Sequence, residues 1–227
     1  MNRAPKPRIK QRPRLLDRLT FWISARKRVD GLSIGVLSGD PELVFPRLEE
    51  ALGLIKTHDR LSYNRLHREL ERVWVTMLAG AIGQYSPSFN ACMLDSRFLL
   101  AETTSAEMIA AVIVHEAAHA RLMRCGIGYE ESLRSRVEAV CTRREVAFAK
   151  RLPDGDEVRE SAQSSQAWQA GDEFWTDEAF AQRDHAGSVE ALRALGIPGW
   201  SVRALLGVRR AILALRALRL RVSRRLT

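Results

Sequence analysis

Apolar and polar positions follow a helical period over most of the chain, because apolar side chains recur at spacings of three and four residues. The segments predicted as helices are 15–29, 40–55, 63–70, 106–123 and 130–152. Residues 73–77 are β-branched and aromatic and predict a strand. Residues 91–94 and 97–100 predict a hairpin or a strand with a bulge. The pattern therefore predicts an α+β fold, mainly helical, with a small antiparallel sheet before the helix at 106–123.

Composition divides the chain into four regions. Residues 1–30 predict a basic arm with an amphipathic helix, and the small-residue segment 31–39 predicts a break between this arm and the body. Residues 31–153 form the predicted core, and 154–200 form a polar loop and helical subregion, with an exposed loop or linker at 154–173. Residues 201–227 predict an Arg-rich C-terminal helix.

The net charge of +9 is concentrated at the two ends of the chain. Residues 1–30 carry +8 and residues 191–227 carry +9, which leaves −8 on the residues between them. The basic ends favour an acidic partner or an anionic membrane surface. Specific nucleic-acid recognition is not expected, since no stacking aromatic residues alternate with the C-terminal arginines.

Three cysteines without a paired spacing favour a reducing compartment. An apolar run of membrane-spanning length and the apolar core of a secretory signal are both lacking. These features predict a cytoplasmic protein, with peripheral attachment to a membrane as the alternative.

The chemistry-bearing motif is His-Glu-Ala-Ala-His at residues 115–119. Thr104 and Glu107 form a capping-box pattern at the start of the helix that contains it, and Gly126 ends that helix. His115 and His119 lie one turn apart on one face, so both imidazoles can bind one metal ion. Zn²⁺ suits imidazole ligands.

A third ligand is required, and Glu138 follows His119 after eighteen intervening residues. This spacing allows a turn and an antiparallel helix that returns a carboxylate to the histidine pair. An ion pair with neighbouring arginines is the alternative role for Glu138. Glu145 lies on the same helical stripe, and a hydrogen bond that orients a ligand, or an ion pair, suits it better than coordination.

With this motif and spacing, the sequence resembles the zincin metallopeptidases, and specifically their gluzincin pattern. The resemblance implies a zincin-like metal-binding core at 31–153, with His115, His119 and Glu138 as zinc ligands and Glu116 as general base. It also implies that residues 91–100 include the edge strand along which a peptide or protein substrate aligns.

The function expected on this basis is zinc-dependent hydrolysis of peptide bonds by a metal-activated water. A donor to the developing oxyanion is also needed, and Tyr129 and His185 are the candidates. The alternative is a non-catalytic zincin-like binding domain whose basic ends recruit an acidic partner or a membrane surface.

Overall fold

The computed structural model of the chain describes residues 15–168, 171–201 and 207, which form a mixed α+β fold. Its first elements are α1 (Leu15–Ile23), β1 (Ala25–Val29), β2 (Leu32–Val36), α2 (Pro41–His58), α3 (Arg60–Glu69) and β3 (Arg72–Thr76). They are followed by β4 (Gly83–Ser86), β5 (Ala91–Asp95), α4 (Ser96–Leu100) and α5 (Ala106–Arg124). The last are α6 (Glu131–Ala149), α7 (Asp156–Trp168), a 3-10 turn (Asp172–Trp175) and α8 (Asp177–Ala194).

The five strands form one sheet in the order β1-β2-β3-β5-β4. The pairs β1/β2 and β4/β5 are antiparallel, whereas β2/β3 and β3/β5 are parallel. The expectation of an antiparallel sheet is therefore wrong. Helices α2 and α3 connect β2 to β3, and such a crossover returns the chain to the end of the sheet where the first strand began.

The two faces of the sheet carry different structures. Ile34, Val75 and Leu94 point from three neighbouring strands into the main core, where they meet buried side chains of α2 and α5. Side chains alternate between faces along a strand. Trp74 and Met93 therefore lie on the opposite face, in a smaller cluster that includes Phe21 of α1.

The start of the fold differs from the predicted basic arm and break. The helix predicted at 15–29 ends at Ile23 as α1, and the strand β1 follows it. The segment 31–39 is not a break, because residues 32–36 are the strand β2, paired with β1 along its length. Asp30 and Gly31 form the two-residue turn of this hairpin with φ of 48° and 88°. Such values are typical of a type I′ turn, which favours Asp-Gly.

The prediction of a strand at 97–100 is wrong, because these residues belong to the helix α4. The carboxylate of Asp95 accepts the backbone N–H groups of Arg97 and Phe98 and so caps this helix. The hairpin is formed instead by β4 and β5. The helix predicted at 106–123, which contains the His-Glu-Ala-Ala-His motif, is confirmed as α5. Its N-cap is Ser105 rather than Thr104.

The segment 154–173 is also different from the expected loop, because most of it is α7. Val158 and Ala162 of this helix are buried, which gives it an apolar face despite its polar composition. Within the residues that the structure describes, no helix has the length and apolarity to cross a bilayer. The predicted arm at 1–14 and the predicted C-terminal helix, apart from residues 201 and 207, lie outside the described residues.

Asp95 joins the sheet to the segments on either side of it. Its buried carboxylate accepts the Leu78 N–H at 2.8 Å and pairs with the Arg97 guanidinium at 2.9 Å. Burial raises the pKa of Asp95, but the contacts with Arg97 and Leu78 outweigh burial and leave the pKa below its ordinary value.

We expect Asp95→Asn to lower the free energy of unfolding at neutral pH by about 2 kcal/mol, because it removes a charged acceptor. A lowered folded-state pKa stabilises the protein above the unfolded pKa of about 4, and this contribution is lost as the pH falls further. Urea unfolding of both proteins across this range measures the effect. A difference in the free energy of unfolding between wild type and Asp95→Asn that stays constant at acidic pH would contradict this prediction.

Candidate metal centre

The two histidines of the motif lie on a helix whose position is set by burial. Ser105 caps α5 by accepting the Met108 N–H, and Ile109 and Ile113 are fully buried against the sheet. One turn separates His115 from His119, and their Nε2 atoms are 3.2 Å apart. Both rings therefore present a nitrogen to the same point in space.

Helix α6 returns antiparallel to α5 and supplies a carboxylate. Gly126, with φ of +80°, ends α5 by a turn in which Ile127 donates to the Leu122 carbonyl. Glu138 then faces the histidine pair. Its Oε2 lies 3.2 Å from His115 Nε2, and its Oε1 lies 3.4 Å from His119 Nε2.

These separations can be compared with the spacing of ligands around a tetrahedral metal ion. Two nitrogen or oxygen ligands, each about 2.1 Å from a tetrahedral ion, lie about 3.4 Å from one another. The 3.2 Å between the two imidazole nitrogens is close to that value. Glu138 meets the two rings through different oxygens, Oε2 at 3.2 Å from His115 and Oε1 at 3.4 Å from His119. The donor set, two imidazoles and a carboxylate, also suits zinc.

Glu145 contacts His115 from the side opposite Glu138. Its Oε2 lies 3.0 Å from Nδ1 of the ring, so this contact fixes the ring and leaves Nε2 directed at the cluster. Burial lowers the pKa of His115, but the contacts with Glu138 and Glu145 outweigh burial and raise it to about 10. These carboxylates therefore favour the protonated imidazole, and a metal ion that binds Nε2 must compete with that proton.

Glu116 is buried beside the histidine pair and has no basic side chain as a hydrogen-bond partner among the described residues. The backbone N–H of Tyr85 in β4 donates to its carboxylate. Gly83, at the start of β4, allows this close approach, since a Cβ there would lie 2.4 Å from Val112. Burial raises the pKa of Glu116, against the opposing effect of the two histidines.

The two candidate oxyanion donors lie in different environments. The Tyr129 hydroxyl donates to Glu138 Oε1, and its ring packs edge-on against His119 at 5.6 Å between centroids. Burial and the nearby Glu138 carboxylate raise the pKa of Tyr129. His185 is exposed on α8, and no hydrogen bond or ring contact joins it to the cluster within the described residues.

The residue that sequence reasoning missed is Cys141. Cys141 is fully buried, and its Sγ lies within 4.8 Å of ligand atoms of both His115 and His119. Burial raises the pKa of this thiol, and the carboxylates of Glu138 and Glu116 add to the effect. The sequence signal for Cys141 is its position three residues after Glu138, because this spacing places the two residues on one face of α6.

The edge strand next to this site is β4, and the expectation that it lies within 91–100 is wrong. Strand β5 at 91–95 is internal, because it pairs with β3 on one side and β4 on the other. Within the described part of the sheet, β4 has a strand partner only in β5. Its outer edge therefore lies beside Glu116, where the Tyr85 N–H donates to the Glu116 carboxylate.

Helix α8 connects two regions that flank the centre. At its start, Asp177 and Phe180 contact Arg134 of α6, and Phe180 also packs against Tyr129. Further along, Gly187 packs directly on Gly80, three residues before β4. The helix therefore spans from the Tyr129 side of the cluster to the segment that leads into β4.

Comparison of the chain with models of protein families, with curated proteins and with solved structures gives no match. The assignment of this site therefore depends on its own geometry.

The contact between Gly187 and Gly80 predicts a large cost for a methyl group. A Cβ at residue 187 would lie 2.1 Å from the Gly80 nitrogen, so Gly187→Ala must displace α8. We expect a loss of about 1–3 kcal/mol in the free energy of unfolding and faster hydrogen exchange across 177–194.

Gly53→Ala is the matched control, because Gly53 is exposed on α2 and a Cβ there meets nothing within 4 Å. Helix propensity favours that change by up to about 1 kcal/mol. Equal stability of the two variants would contradict the packing of α8 on Gly80.

Proposed function

We propose that the protein is a zinc-dependent peptidase with a zincin-like fold. The observation that carries the proposal is the cluster of His115, His119 and Glu138, whose facing atoms lie 3.2–3.4 Å apart. Three protein ligands of this kind leave a fourth position for water in a tetrahedral site. The buried Glu116 beside them is the second support.

Zinc, when bound, supplies a Lewis acid that polarises the scissile carbonyl and acidifies water. Glu116 is the general base, which takes a proton from the attacking water and passes it to the leaving amine. Burial raises the pKa of Glu116 above its ordinary value, which makes the carboxylate a stronger proton acceptor. The Tyr85 N–H holds the carboxylate in place for both steps.

The other residues of the cluster orient these groups. Glu145 fixes the His115 ring through Nδ1, and Tyr129 fixes Glu138 through Oε1. An extended peptide placed along the outer edge of β4 would pass Glu116, because Gly83 and Tyr85 contact that residue from β4. The substrate class that fits this edge is an extended peptide or an unfolded protein segment.

A second function is favoured by Cys141. If its thiol joins the two histidines and Glu138, four protein ligands complete the tetrahedron and exclude water. Such a closed centre stabilises a fold and does not hydrolyse peptides. This is the non-catalytic zincin-like domain, and its function would be to bind a partner.

We expect the purified protein to bind about one zinc ion per chain. His115→Ala, His119→Ala and Glu138→Ala should each weaken zinc binding roughly a hundredfold or more, because each removes a ligand. Glu145→Ala should weaken it about ten- to a hundredfold, because it only orients His115. Titration with zinc against a competing chelator measures these affinities.

Glu157→Ala is the control, since Glu157 is exposed on α7 and should leave zinc binding unchanged. A larger loss of zinc affinity for Glu145→Ala than for Glu138→Ala would assign Glu145 as the third ligand. Failure of the wild-type protein to bind zinc after reconstitution would overturn the proposal.

Cys141→Ser separates the open centre from the closed one. With an open centre, the variant keeps its zinc affinity, and the Co²⁺-substituted wild-type protein lacks the near-ultraviolet thiolate charge-transfer band. With a closed centre, the wild-type protein has this band and the variant loses both the band and most of its affinity.

Glu116→Gln tests the catalytic step. Glutamine keeps the size of the side chain and an acceptor for the Tyr85 N–H, but it cannot take the proton. We expect unchanged zinc content and a 10²–10⁴-fold loss of peptide hydrolysis, in line with the usual contribution of a general base. A digest of casein or a peptide library, read by mass spectrometry, measures the rate.

Glu107→Gln on the first turn of the same helix is the control and should cleave at the wild-type rate. Equal rates for wild type and Glu116→Gln would mean that Glu116 does not catalyse the observed hydrolysis. The non-catalytic domain would then be the better assignment.

A further inference from the structure

Helix α1 lies on the face of the sheet opposite the metal centre. Its Phe21 ring packs edge-on against Trp74 at 5.6 Å between centroids and would clash with a Cβ at Gly35. The Arg72 guanidinium lies 5.6 Å from the centre of the same ring. Phe21 therefore anchors α1 to the side of the sheet that faces away from α5.

The same short helix leaves three large apolar side chains in solvent. Leu19, Trp22 and Ile23 are 59%, 68% and 66% exposed. Their spacing of three and four residues places them on one side of the helix. A cluster of exposed large apolar residues is typical of an interaction surface rather than of ordinary solvated surface.

Basic side chains lie on that same face of the sheet. Arg26 pairs in register with Gly35 and Arg28 with Ser33, and paired residues of neighbouring strands point to the same face. Both arginines are exposed, whereas Lys27 points to the other face and pairs with Glu49 of α2. These residues belong to the segment 1–30, whose net charge is +8.

We propose that this surface, defined by Leu19, Trp22, Ile23, Arg26 and Arg28, docks the protein on an anionic phospholipid bilayer. Apolar side chains of an interfacial helix enter the boundary of the acyl chains, and Trp is favoured at that depth. Flanking arginines attract the anionic head groups. A bilayer fits this combination because two weak signals, apolar burial and positive charge, act together on one side of the molecule.

Co-sedimentation of the full-length protein with vesicles tests the proposal. One set of vesicles is phosphatidylcholine alone, and the other contains about one phosphatidylserine in three lipids. We expect binding to the anionic vesicles only, with weaker binding as salt is raised. Leu19→Ser with Trp22→Ser should reduce binding at least tenfold, and Arg26→Gln with Arg28→Gln should reduce it roughly fivefold per residue.

Trp200→Ser is the matched control, because Trp200 is 73% exposed and lies outside the proposed surface. Exposed side chains contribute little to folding, so the variants should keep the wild-type melting temperature. Absence of wild-type binding to anionic vesicles would overturn the proposal. Equal binding of the Leu19/Trp22 variant and the wild type would also overturn it, since the lipid contact would then lie elsewhere. Zinc binding and hydrolysis are measured without lipid, so this test is independent of the peptidase proposal.

Discussion

The antiparallel packing of α6 on α5 is the constraint on which the whole candidate site depends. It brings Glu138 and Glu145, two turns apart on α6, to the two nitrogens of a single histidine, His115. A shift of α6 by one residue would rotate both carboxylates by about 100° and lose both contacts at once. The Tyr129 hydroxyl and the contact of Arg134 with α8 depend on the same register, because Tyr129 lies two residues before α6 and Arg134 lies in its first turn.

Charge explains why this packing favours a cation. Glu116, Glu138 and Glu145 converge on two imidazoles, and among the described residues these carboxylates form no ion pair with lysine or arginine. Elsewhere in the core a buried carboxylate is compensated in the ordinary way, since Glu69 pairs with Arg121 and Arg124. Buried charges are costly unless they are paired or bind a metal ion. The proposed zinc would balance two of the three negative charges.

The sequence predicted the parts of the site that depend on local order. The one-turn spacing of His115 and His119 requires only a helix, and the return of Glu138 requires only a helix end at Gly126. Strand β4 could not be found in this way, because residues 83–86 (Gly-Gln-Tyr-Ser) lack an apolar alternation and their position depends on pairing with β5. The β1/β2 hairpin is different, since Asp30-Gly31 is a strong local turn signal, yet the small residues of 31–39 predicted a break there. Cys141 was missed because its contact with the histidines is a property of tertiary packing.

The sheet separates the two proposed activities into two faces. One face supports α5 through Ile34, Val75 and Leu94, so the metal cluster lies beyond a fully packed core layer. The other face holds α1 through the contacts of Phe21 with Trp74 and Gly35, in a cluster with few members. With Phe21 packed on the sheet, α1 presents Leu19, Trp22 and Ile23 outward. A bilayer on that face would lie across the sheet from α5, which carries the proposed metal ligands His115 and His119.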